Sequence, residues 1–134
     1  MTREIAIKTA AKWWTDKLRQ RAPHDNGAND PSNRFAMILA DMLATPMSED
    51  QLNKFQQELE KEINASMRNR PGIVLGCDYD PCCTLADAAH RAGINTANFP
   101  YKTAMDIRTD RHGNYIVSVS DGYAQPYVDL KPCK

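Results

Sequence analysis

At Arg70-Pro71-Gly72 the hydrophobic period of the chain changes, and with it the kind of element each half can form. Upstream, apolar residues recur every three or four positions, the spacing of a helix with one buried stripe. Downstream, β-branched residues alternate with polar ones, the two-residue period of a half-buried strand. The 134 residues are enough for one domain with a real core. The expectation is therefore a single α+β domain over 1–134, with a helical part at 1–71 and a strand-helix-meander part at 72–134.

The first helix runs from residue 3 to about 21, with Thr2 as its N-cap and Ile7, Ala10, Ala11, Trp14 and Leu18 as its stripe. Neighbours on a helix point about 100° apart. One ring of Trp13-Trp14 therefore enters the core while the other seals its rim or meets a partner. Residues 23–33, PHDNGANDPSN, are a polar loop containing His24 and Asp25. The run RFAMILADMLAT (34–45), capped by Ser32 or Asn33, predicts a largely buried second helix. Pro46 stops it. Ser48 with Gln51 forms a capping box for a third helix. Its buried stripe is Leu52, Phe55, Leu59, Ile63 and Met67, and Glu49, Glu58, Glu60 and Glu62 cover its outer face.

Residues 72–93 then predict a short buried strand (Ile73, Val74, Leu75), a polar turn, and a crossover helix ended by Gly93. Strands follow at 103–109, from Tyr115 through Val119, and at 127–130. Turns at Arg111-His112-Gly113-Asn114 and Asp121-Gly122 separate them, and Pro126 suits an edge. The sum is three N-terminal helices packed with a small, mostly antiparallel sheet of about four strands plus one crossover helix.

Charge narrows the possible functions. Seventeen basic residues balance seventeen acidic ones, and they divide 11 to 10 through Pro71 and 6 to 7 beyond it. Neither part is a basic block, so binding along a phosphate backbone is disfavoured. No apolar run approaches the roughly 20 residues of a membrane span. Lys8 and Lys12 break the apolar stretch a secretion signal needs, so the expected location is the cytoplasm, where cysteines stay reduced.

Three constellations could carry chemistry. The first is a thiol at a helix start: with Asp80 as cap and Pro81 at the first helical position, Cys82 and Cys83 fall in the first turn, where the helix dipole stabilises a thiolate. Cys83, Asp87 and His90 share a side of that helix. Seven residues of helix nevertheless rise about 10 Å, too far for His90 to activate Cys83 directly. The second is a zinc site drawn from Cys77, Cys82, Cys83 and either Cys133 or a histidine. The C-x4-C spacing of Cys77 and Cys82 is admissible, but a second pair is missing. The third gathers Asp78, Tyr79, Asp80, Tyr101, Lys102, Asp121, Tyr123 and Tyr127 around the strand ends. With Lys102 nearby, Asp78 and Asp80 there hold a metal, act as acid and base, or are turn residues and an ion pair, and tyrosines beside charges suit protein recognition. Glycine-rich phosphate loops, HExxH and GxSxG are absent, and no cofactor is implied.

The runs CDYDP (77–81), FPYKTAM (99–105) and GYAQPY (122–127) resemble segments of small accessory proteins carried by phages and prophages. Some proteins of that kind block bacterial defence systems, so the resemblance implies a stoichiometric inhibitor of a host bacterial protein. The likeness covers only the last 60 or so residues and carries over no catalytic group. The leading expectation is a protein-binding protein that uses Tyr79, Asp80, Tyr101, Lys102 and Tyr123 as contacts. The alternatives are a small hydrolase or transferase using Cys83 or the Asp78/Asp80 pair, and a zinc-stabilised structural or DNA-associated module.

Overall fold

A computed structural model of the chain describes residues 1–20, 47–78, 80–100, 102–122 and 126–133. The expected second helix at 34–45 and the loop with His24 and Asp25 lie outside the described residues, as do Tyr79, Tyr101 and Tyr123. In chain order the described elements are α1 (Arg3–Gln20), α2 (Glu49–Ser66), β1 (Ile73–Cys77), α3 (Cys83–Ala92), a 3-10 turn (Thr96–Asn98), β2 (Thr103–Thr109), β3 (Tyr115–Asp121) and β4 (Val128–Asp129). The four strands form one antiparallel sheet in the order β1-β2-β3-β4. The class is α+β.

Both long helices begin and bury as their sequences dictate. Thr2 Oγ1 accepts from the Ile5 amide at the start of α1, whose stripe from Ala6 to Leu18 is buried. Ser48 and Gln51 close the expected capping box on α2. The helices run antiparallel: Arg3 bonds Asn64 at one end of the pair, and Arg19 makes a two-pronged contact with Glu49 at the other. α1 and α3 lie against the sheet, and α2 packs on both. Gly93 ends α3 in the left-handed conformation, φ 70°, and the next amide, Ile94 N–H, donates back to the Ala89 carbonyl.

Gln51 also joins two elements, because its Nε2 donates to the Gly93 carbonyl at 2.9 Å while its Oε1 serves the capping box. A Gln51→Glu variant keeps the box and places an acceptor against that carbonyl. It is expected to lose about 1 kcal/mol in urea unfolding; an unchanged midpoint would mean the contact contributes nothing.

Glu58 corrects the expected outer face of α2. It is 7% exposed, enclosed by Lys54 and Lys61 of its own helix and approached by Arg91 of α3, which also pairs with Glu62. A helix packed on two neighbours has less free surface than its own stripe indicates, and a carboxylate is tolerated there because cations surround it.

The inner face of the sheet carries Leu75, Cys77, Thr103, Met105, Ile107, Val117 and Val119, all buried. Above it Trp14, Phe99 and Phe55 meet edge-on, with centroids 6.2 and 5.7 Å apart. On the outer face Ser118 is 1% exposed because Arg108 donates to its hydroxyl and the hydroxyl donates to Asp129. Val74, expected to be buried, is 68% exposed. β1 is an edge strand covered on one face only, so its alternation sends Ile73, Leu75 and Cys77 inward and Val74 out.

The helix after β1 is not a crossover. β1 and β2 are antiparallel neighbours, with Cys77 opposite Thr103 and Ile73 opposite Ile107. α3 therefore belongs to an excursion that leaves and re-enters the sheet at the same end, whereas a crossover would return the chain to the opposite end. Both sheet edges are blunted. At β1 the chain folds back, Pro81 bridging Cys77 and the Cys82 amide donating to the Gly76 carbonyl at 2.8 Å. β4 is two residues long and is flanked by Pro126 and Pro132. No helix among the described residues is long and apolar enough to cross a membrane.

The titrating groups set a pH window. The side-chain hydrogen bond from Arg19 holds Glu49 below its ordinary range, and that from Lys54 does the same for Glu58. In the β2–β3 turn, the Asn114 and His112 amides lower Asp110. Depressed carboxylates contribute stability above their ordinary pKa and lose it as pH falls through the folded value. Cys77 has the opposite sign: burial first, then Asp80, Cys82 and Asp78, push its thiol up from 9.0 to about 12. Its contribution is full below 9.0 and is lost as pH rises from there to about 12. Unfolding followed by circular dichroism is expected to show a plateau at neutral pH, a fall below about pH 4, and an alkaline fall that is shallower in Cys77→Ala.

Candidate functional site

The excursion through α3 brings three chain segments to one end of the sheet. β1 leaves there at Cys77, β2 starts there at Thr103, and β3 ends there at Asp121, paired as Cys77–Thr103 and Thr103–Asp121. Beyond that row the connection continues through the backbone: the Lys102 amide donates to the Asp78 carbonyl at 3.1 Å, and the Gly122 amide donates to the Lys102 carbonyl at 2.9 Å. The segments carrying Asp78 and Asp80, Lys102, and Asp121 thus form one rim, although they are far apart in sequence. Asp78 and Asp80 are exposed and Lys102 is half-buried.

Lys102 has φ 55°, the one non-glycine residue of positive φ among the described residues. A side chain in the left-handed region costs roughly 1–2 kcal/mol. The hydrogen bonds on its amide and its carbonyl hold it there. Strain of this kind, kept by the surrounding structure, concentrates at binding and catalytic positions.

α1 contributes a second wall, of which the sequence pointed to the tryptophan pair but not to Lys17. Lys17 reaches from α1 to Asp121 at 2.5 Å, and its Nζ sits 5.2 Å from the centre of the Trp13 ring. Trp13 is half-buried at the margin of the core and meets Trp14 edge-on at 5.1 Å, whereas Trp14 is fully enclosed. The tandem tryptophans had indicated a split between core and rim, and Trp13 is the ring at the rim. The available signal was that Trp13 and Lys17, four residues apart on a helix, both lie off the buried stripe.

The cysteines do not assemble. Pro81 is held in the bridge to Cys77 and the Cys82 amide is held by Gly76, so Cys82 is the extended N-cap and α3 starts at Cys83. This corrects the expected cap at Asp80 with Pro81 as first helical residue; the strand-like fold-back competes with helix for those positions. Cys83 is exposed at the first helical residue, on the side that also carries exposed Asp87 and His90. Cys82 is half-buried against the core. Cys77 keeps its proton at neutral pH, which makes it a poor nucleophile. Cys133 lies against α1, its amide donating to Thr9 Oγ1. Among the described residues no three His, Cys, Asp or Glu side chains come close enough to hold a metal ion.

Compared with family models, curated proteins and solved structures, the chain matches none. Carboxylates at Asp78 and Asp80, a strained lysine, an ion pair and an aromatic edge supply polar anchors and contact area.

Proposed function

We propose that this chain is a protein-binding protein that acts stoichiometrically, occupying a surface of its partner with the rim at the end of the sheet. The observation that carries this reading is Lys102, held in a left-handed conformation between the Asp78 and Gly122 segments by hydrogen bonds on its amide and its carbonyl. A residue kept in a costly backbone conformation by its neighbours is a candidate for function, and a binding surface gains a placed cation there. The contacts are Asp80 and Lys102 together with Tyr79, Tyr101 and Tyr123, which follow or precede rim residues in sequence. The aromatic edge at Trp13 extends the surface onto α1. By the resemblance of its C-terminal runs, the partner is a host bacterial protein of a defence system and the chain is phage-encoded.

The test separates stability from binding. Lys102→Gly is expected to raise the unfolding free energy by about 1 kcal/mol through relief of strain. The same change should weaken capture of the partner from a bacterial lysate. Alanine at Tyr79, Asp80, Tyr101, Lys102 and Tyr123 together should abolish capture while circular dichroism stays native. An intact stoichiometric complex with all five replaced would overturn the proposal.

A further inference from the structure

We draw no further inference here: the strongest candidate, the open groove of about 630 Å³ between α1 and α2 with Ile7 among Arg3, Lys8, Glu60 and Lys61, is lined by charges of both signs that select no partner, and nothing in the structure shows what covers it.

Discussion

Gly72→Ala is expected to destabilise the protein by about 3 kcal/mol or to prevent its folding. A methyl group at this position would lie 2.1 Å from the Ile107 carbonyl oxygen and 3.1 Å from the Arg108 Cα. These are backbone atoms of β2, so no rotamer change makes room. The only relief is to move the start of β1 away from β2, which breaks the pairing of Ile73 with Ile107 and loosens the strand that delivers Asp78 to the rim. Gly76→Ala is the matched control. Its added methyl meets the Thr103 carbonyl oxygen at 3.5 Å, an ordinary contact, and the change should cost less than about 1 kcal/mol. Urea unfolding of the two variants measures the difference. Equal midpoints would mean that the close approach of Gly72 to β2 is not a constraint on this fold.

Trp14→Ala should cost about 3–5 kcal/mol, the range for deleting a large buried aromatic ring. Trp14 is fully buried and stands edge-on to Trp13 and Phe99, so its removal opens a cavity between α1 and the sheet-side core. Its Nε1 is buried without a hydrogen-bond partner among the described residues, which gives a second, sharper expectation. Trp14→Phe loses part of the ring but also removes a desolvated donor, which by itself costs about 1–3 kcal/mol. The phenylalanine variant should therefore fall well short of the alanine loss. Calorimetric unfolding of the three variants measures this, and Trp13→Ala, at the half-buried margin, should cost far less than Trp14→Ala. A Trp13 variant as damaging as Trp14→Ala would place that ring in the core and remove it from the binding surface.

What could be read from the chain alone was whatever depends on near neighbours. The stripes of α1 and α2, the Ser48–Gln51 box, the stop at Gly93 and the turn around Gly113 all follow from spacing, local hydrogen bonds and positive φ within a few residues. Period alone also separated the helical part from the sheet. Tertiary structure decided the rest, because the remaining features depend on how β1, α3 and the sheet come together. Val74 is exposed because the sheet is covered on one face only and the alternation of β1 turns Val74 to the other, and Glu58 is enclosed by Lys54 and Lys61 with Arg91 of α3 approaching it. Cys82 rather than Asp80 caps α3 because Gly76 holds its amide. The rim itself exists because β1 and β2 pair antiparallel across the whole α3 excursion, which also fixes Lys102 in its strained backbone. Register and edge protection are set by what the folded neighbours leave uncovered, and a local pattern holds no record of that.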